Sequence, residues 1–165
     1  MDVTTDYEDG RHLFAAVRAA ALEHDRITRA IARRRELAGH VGGGGFEPRV
    51  RSSKPDVNGT AKSIAAMDFE RRNEQRLAED KRLMDAACDI LYGRDNRGGV
   101  AAYVGSAIAD CAFLRCCGAM EWREVAEQVG VSVNTARVYV DTAADTVDMH
   151  GARFLATGEA WGDAT

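Results

Sequence analysis

The chain has 165 residues, of which 45% are hydrophobic and 29% are charged, and its formal net charge is −4. This balance is typical of a folded protein and excludes an intrinsically disordered one. No run of about 18 apolar residues occurs, and the N-terminus lacks the basic start and apolar core of a secretory signal. We therefore expect a cytoplasmic protein with no membrane partner.

Charge is distributed unevenly along the sequence. Residues 26–60 carry a net charge of +5, whereas residues 1–25 carry −4 and residues 101–165 carry −5. For a nucleic-acid partner, the distribution of charge matters more than its total. The positive charge is concentrated in one segment in the first half of the chain.

A heptad pattern predicts a long first helix over residues 6–38. Residues at alternating spacings of four and three form its stripe: Leu13, Val17, Ala20, His24, Ile27, Ile31, Arg34 and Ala38. Residues 39–60 then hold four consecutive glycines, both prolines and Asn58-Gly59, a composition typical of a flexible loop.

A second long helix is predicted over residues 60–92, with Thr60 as its N-cap. Its apolar positions are sparser: Ile64, Met67, Leu77, Met84 and Leu91. Two helices with heptad patterns and a connecting loop favour an antiparallel, coiled-coil-like hairpin. Because the first stripe is longer than the second can cover, we expect self-association, most simply a homodimer.

The second half of the chain is also predicted to be helical. Residues 100–117 indicate one apolar helix, and no strand-like alternation of any length occurs. The predicted fold class is therefore all-α, with a long N-terminal helical hairpin followed by a small helical domain. The expected boundaries are 1–95 for the two-helix arm, 96–150 for the small domain and 151–165 for a C-terminal tail.

Residues 122–141 match the geometric demands of a helix-turn-helix. Two helices that cross tightly need a small residue at their contact, and Ala126 occupies that position. The turn needs a residue that tolerates positive φ, and Gly130 stands four places later. Ser132 is placed to cap the second helix. The apolar residues of the interface are Val125, Val129, Val131, Ala136 and Tyr139.

This motif predicts a DNA-binding face on the second helix. The residues left for DNA are Ser132, Val133, Asn134, Arg137, Val138 and Asp141. Asn134 has the amide geometry to pair with adenine, and Arg137 has the donors for guanine or for a phosphate. An ordinary bundle corner, with these side chains solvated, is the alternative.

The charge of the motif opposes DNA binding. Residues 118–150 hold two arginines against six carboxylates, so the module alone gains little from neutralising phosphates. The basic segment is the expected source of phosphate contacts: Arg33, Arg34, Arg35, Arg49, Arg51 and Lys54. The alternative for this segment is a solvated helix end that complements the helix dipole.

The stretch from Phe113-Leu-Arg-Cys-Cys-Gly to Trp122-Arg-Glu-Val-Ala-Glu-Gln-Val-Gly-Val-Ser132 resembles region four of bacterial sigma factors. Together with the two long helices and the Arg-Ser-Ser-containing loop, the layout is similar to phage late-transcription activators of the ArpU/RinA kind. The resemblance implies DNA binding through the helix that begins at Ser132. Cys116-Cys117 departs from the pattern, since an aromatic residue is usual there, as do the acidic Asp141 and Asp145.

We therefore expect a DNA-binding transcriptional regulator, encoded by a prophage or mobile element, with double-stranded DNA and RNA polymerase as partners. A small terminase subunit and an RNA-polymerase adaptor that uses the acidic motif are the alternatives. An enzyme is not expected, because no nucleophile or metalloprotease motif occurs and the carboxylates lie on charged faces. Neither the four cysteines nor the four histidines show metal-ligand spacing, so no metal or other cofactor is predicted.

Overall fold

The computed structural model describes residues 7–39, 57–95 and 98–158. Within these ranges the chain is all-α, as predicted, with no strand. The helices are α1 (Gly10–Gly39), α2 (Val57–Tyr92), α3 (Gly99–Val104), α4 (Ser106–Cys116), α5 (Trp122–Val129), α6 (Val133–His150) and α7 (Ala152–Thr157). No helix in these ranges is long and apolar enough to span a membrane.

Several predicted boundaries need correction. Helix α2 begins at Val57, so Thr60 lies inside its first turn and does not cap it. The single helix predicted over 100–117 is two helices, because Gly105 breaks it with a φ of 98° that other residues rarely adopt. The segment predicted as a tail contains α7, whose Leu155 and Ala156 are buried.

The chain divides into two compact units. The first joins Met1–Glu23 to Glu79–Thr165, and the second is His24–Ala78. The predicted arm over 1–95 is therefore shared between them, since both of its ends belong to the first unit.

The core of the first unit contains apolar residues from six helices. Its buried members are Leu13, Phe14, Val17, Ala87, Ile90, Leu91, Val100, Ala109, Ala112, Cys116, Ala143, Ala144, Val147, Leu155 and Ala156. Tyr92 strengthens the packing of α2 on α4, since its hydroxyl donates to Asp110 at 2.7 Å and its ring meets Phe113 edge-on. The start of α1 is fixed on α6, where the N–H of Gly10 donates to Asp148 at 2.6 Å.

The second unit contains the later part of α1 and the earlier part of α2. The two helices contact each other there, because Arg35 forms an ion pair with Glu70 and the Arg34 guanidinium lies 3.8 Å from the ring centre of Phe69. Ile64 and Met67, predicted as apolar positions of α2, are exposed. The antiparallel hairpin stays a prediction.

Candidate nucleic-acid interface

Helices α5 and α6 are joined by a turn with defined backbone geometry. Glu121 and Glu124 form a capping box at the start of α5, in which each side chain accepts the backbone N–H of the other residue. Gly130 ends α5 in the left-handed region, with φ 77° and ψ 33°. The N–H groups of Gly130 and Val131 both donate to the carbonyl of Ala126 at 2.9 Å. The predicted role of Gly130 in the turn is confirmed.

Ser132 caps α6, as predicted. Its hydroxyl oxygen accepts the N–H of Thr135 at 3.0 Å, and its carbonyl accepts the N–H of Ala136 at 2.8 Å. The cap fixes where α6 begins and therefore which of its side chains lie near its N-terminus.

A small core lies between the two helices. Its buried members are Cys111, Val125, Ala126 and Ala136, and Val129, Val131 and Tyr139 pack against it. Ala126 is only 5% exposed, which confirms its predicted position at the contact. Cys111 comes from α4 and lies outside residues 122–141, so the motif alone could not indicate it.

Five of the six residues predicted to face DNA are exposed: Ser132, Asn134, Arg137, Val138 and Asp141. The sixth, Val133, is half-buried and packs against the small core. Its side chain therefore fixes the position of α6 more than it offers a contact. The polar side chains with base-reading geometry near the start of α6, Asn134 and Arg137, are both accessible.

The two acidic residues that departed from the resemblance are paired with a basic one. Arg11 on α1 lies between them, with its Nε 3.4 Å from Asp141 Oδ1 and its Nη2 2.9 Å from Asp145 Oδ1. All three side chains are more than half exposed, so these pairs lower local negative charge more than they stabilise the fold. Sequence reasoning missed Arg11 because it lies far from the motif, in the acidic N-terminal segment.

Arg18 and Arg115 hold the loop that leads into α5. Arg18 donates to the carbonyls of Arg115 and Met120 at 2.9 and 3.2 Å, and Arg115 donates to that of Met120 at 2.6 Å. Both arginines also face Glu121, at 3.0 Å from Arg18 and 3.6 Å from Arg115. Burial, and then the charge of Arg18, lower the pKa of Arg115, while Glu121 raises it. Two guanidinium groups are thus held close together.

The ring of Trp122 lies near two guanidinium groups. The Arg115 guanidinium is 4.3 Å from a ring centre of Trp122, and that of Arg137 is 5.7 Å away. These distances are within the range of cation–π attraction. The Arg137 guanidinium therefore lies near Trp122, the first residue of α5.

These side chains surround a cavity of about 370 Å³, which we name the arginine cavity. Its lining is Arg11, Phe14, Ala15, Arg18, Arg115, Cys116, Trp122, Arg137, Val140, Asp141 and Ala144. Arg137 and Asp141 belong both to this lining and to the exposed face of α6. The cavity therefore borders the predicted DNA-binding surface.

The predicted phosphate contacts belong to another part of the chain. Arg33, Arg34 and Arg35 are exposed on α1 in the second unit, where Arg34 and Arg35 contact α2. Residues 49, 51 and 54 lie outside the described residues. Within the first unit, Arg11 contacts α6.

The described cysteines differ in their surroundings. Burial raises the pKa of Cys116 to about 12, and burial also raises the pKa of Cys111. A hydrogen bond between Cys88 and Cys117 lowers the pKa of Cys88 and raises the pKa of Cys117. Among the described residues no group of three or more His, Cys, Asp or Glu side chains could hold a metal ion.

No protein-family model, curated protein or solved structure matches the chain.

Proposed function

We propose that this protein is a DNA-binding transcriptional regulator that inserts the start of α6 into the major groove. The observation that supports it best is the turn between α5 and α6, in which Gly130 and Ser132 leave Asn134 and Arg137 exposed at the first turns of α6. In helix-turn-helix proteins, the N-terminal residues of the second helix contact base edges. Asn134 is the residue to which we assign base recognition.

The contact between Arg11 and the two aspartates reduces the main electrostatic objection. Asp141 and Asp145 lie along α6 and would repel phosphates if they were unpaired. Arg11 carries its positive charge to within 3.4 Å of both carboxylates. The surface beside α6 is therefore less negative than the composition of residues 118–150 suggests.

The similarity to sigma region four and to phage late-transcription activators favours a cytoplasmic regulator carried by a prophage or mobile element. Double-stranded DNA is the proposed partner, with RNA polymerase as a second partner at a promoter.

One observation favours an adaptor that binds RNA polymerase and not DNA. Glu121, Glu124 and Glu127 are exposed on or next to α5 and give that helix an acidic surface.

Fluorescence anisotropy with genomic duplexes at two salt concentrations tests the proposal. We expect salt-sensitive binding, and we expect Asn134→Ala to lose about 1–3 kcal/mol of discrimination at one base pair. Arg123→Ala, on the exposed surface of α5, is the matched control and should leave sequence preference unchanged. If the wild-type protein binds no duplex even at low salt, the DNA-binding proposal fails and the adaptor remains.

We further propose that the regulator is a homodimer joined through its second unit. Ile31, Ile64, Met67 and Leu77 line an open groove there, and Ile64 and Met67 are 56% and 66% exposed. The groove also carries both signs of charge, with Arg35 and Arg71 beside Asp68, Glu70 and Glu74. A two-fold pairing can set the arginines of one copy against the carboxylates of another.

Sedimentation equilibrium tests the dimer. We expect a dimer at tens of micromolar, and Ile64→Glu with Met67→Glu should shift it to monomer because two charges would enter an apolar contact. Glu79→Gln, an exposed change on the same helix, is the control. A wild-type monomer at this concentration would refute the dimer, whereas a ring of about eight or more subunits would favour the terminase alternative.

A further inference from the structure

The lining of the arginine cavity favours an anion. Four arginines line it, and Asp141 is the one carboxylate among the described lining residues. Guanidinium groups that share one space repel each other unless negative charge lies among them. The volume of about 370 Å³ falls within the range of about 300–1,000 Å³ for small-ligand sites. A phosphate group with its flanking sugar therefore has sufficient space.

The protein's own carboxylates offset only part of this positive charge. Arg11 is satisfied by two aspartates, but Arg18 and Arg115 share the single carboxylate of Glu121. The Glu121 side chain is 73% exposed, whereas those of Arg18 and Arg115 are 19% and 15% exposed. Solvent weakens the attraction of so exposed a carboxylate for its partners. The four arginines and the three carboxylates that pair with them retain one net positive charge.

Arg137 is the arginine of the cavity that is available to a ligand. Within the described residues it forms no ion pair, and its guanidinium lies 5.7 Å from the Trp122 ring centre. A guanidinium held over an aromatic ring keeps its outward N–H donors for a planar or tetrahedral oxyanion. Arg137 is also exposed on α6, so a ligand can reach it from the predicted DNA-binding face.

We propose that the arginine cavity binds a phosphate group, and that this phosphate belongs to the DNA backbone beside the groove that α6 enters. The shared chemistry is a phosphate oxyanion, and its assignment to DNA rests on the proposed function. Arg137 donates to the phosphate oxygens, and Arg11, Arg18 and Arg115 supply the surrounding positive potential. Asn134 then recognises bases, while Arg137 fixes the position of the duplex.

Inorganic phosphate alone tests the cavity without DNA. The affinity is measured from Trp122 fluorescence in a Trp161→Phe background, and from the rise in melting temperature, with sodium chloride replacing phosphate at constant ionic strength. Arg137→Gln should weaken phosphate binding roughly tenfold, since it removes a charge-assisted contact. Asp141→Asn should strengthen binding several-fold, because it removes the carboxylate of the lining while Asp145 still holds Arg11. Arg123→Gln, an exposed arginine outside the lining, should change nothing.

The decisive result is that Arg137→Gln weakens phosphate binding whereas Asp141→Asn strengthens it. The proposal is overturned if phosphate raises the melting temperature no more than chloride does. It is also overturned if phosphate raises the melting temperature of Arg137→Gln as much as that of the wild type. The same holds if Asp141→Asn weakens binding.

Duplex titrations with the same variants identify the source of the phosphate. We expect Arg137→Gln to weaken binding to all sequences equally and to reduce the salt slope by roughly one. Loss confined to one base pair would assign Arg137 to a guanine, which overturns the cavity contact but leaves DNA recognition intact. If the variants change phosphate binding as expected but the protein binds no duplex, the arginine cavity is still a phosphate site, and DNA is overturned as the source of the phosphate.

Discussion

Replacing Ala126 with leucine should destabilise the contact between α5 and α6. Ala126 is 5% exposed and lies in the small core with Val125 and Ala136, which are fully buried. Its carbonyl also accepts both N–H bonds that close the turn. Three added carbon atoms have no space there, so the helices must separate or adopt strained side-chain conformations. Overpacking of this kind costs about 1–3 kcal/mol.

The assay is thermal unfolding followed by circular dichroism. For a chain of this length about 1 kcal/mol corresponds to 2–4 °C, so the expected decrease in melting temperature is about 2–12 °C. Ala78→Leu is the control, because Ala78 is exposed on α2 and both residues favour helix. An unchanged melting temperature for Ala126→Leu, with Ala78→Leu also unchanged, would refute the close contact of the two helices.

Three further predictions follow from individual residues. Gly130→Ala should lower the free energy of unfolding by about 1–2 kcal/mol, because φ at this position is 77°, although no atom obstructs a new Cβ. Unfolding in urea measures this loss, and an unchanged free energy of unfolding would contradict the left-handed turn. Burial, and then the hydrogen bond to Asp110, raise the pKa of Tyr92, so its contribution to stability is complete below about pH 10 and is lost as pH rises further. Tyr92→Phe should therefore be less stable than wild type at pH 7, with a difference that narrows above pH 10; a difference independent of pH would count against this. Brief treatment with iodoacetamide, followed by mass spectrometry, should modify Cys88 before Cys116, because a hydrogen bond lowers the pKa of Cys88 whereas burial raises that of Cys116. Modification of Cys116 before Cys88 would contradict these environments.

The local structure of the candidate interface could be predicted from the sequence because each residue there has a local physical role. Gly130 supplies a left-handed turn, Ser132 supplies a cap and Ala126 supplies a close contact, whatever the rest of the chain does. The apolar stripe of α1 was also recognisable, since its residues Leu13, Val17 and Ile27 are buried. Local demands of this kind appear directly in residue type and spacing.

Other features of the fold were harder to predict from the sequence. The single helix predicted over residues 100–117 included Gly105, whose φ of 98° separates α3 from α4. The N-cap assigned to Thr60 failed because Asn58-Gly59, a strong turn signal, is included in α2. The chain turns at Gly151, where φ is 83°, and Leu155 and Ala156 of α7 are then buried in the core, although residues 151–165 were predicted as a tail.

The charges around α6 in the structure differ from those that the linear sequence suggests. A count along the chain assigned the needed positive charge to residues 26–60, because that segment has the highest net charge. The structure instead places Arg11 beside Asp141, and Arg18 beside Glu121, although both arginines come from the acidic first 25 residues. Coulomb interactions depend on distance in space, and at about 0.15 M salt they decay over about 8 Å. The arginines that would act on the proposed phosphate near α6 are therefore those within this distance of it, and Arg11 and Arg18 come from a segment whose net charge is negative.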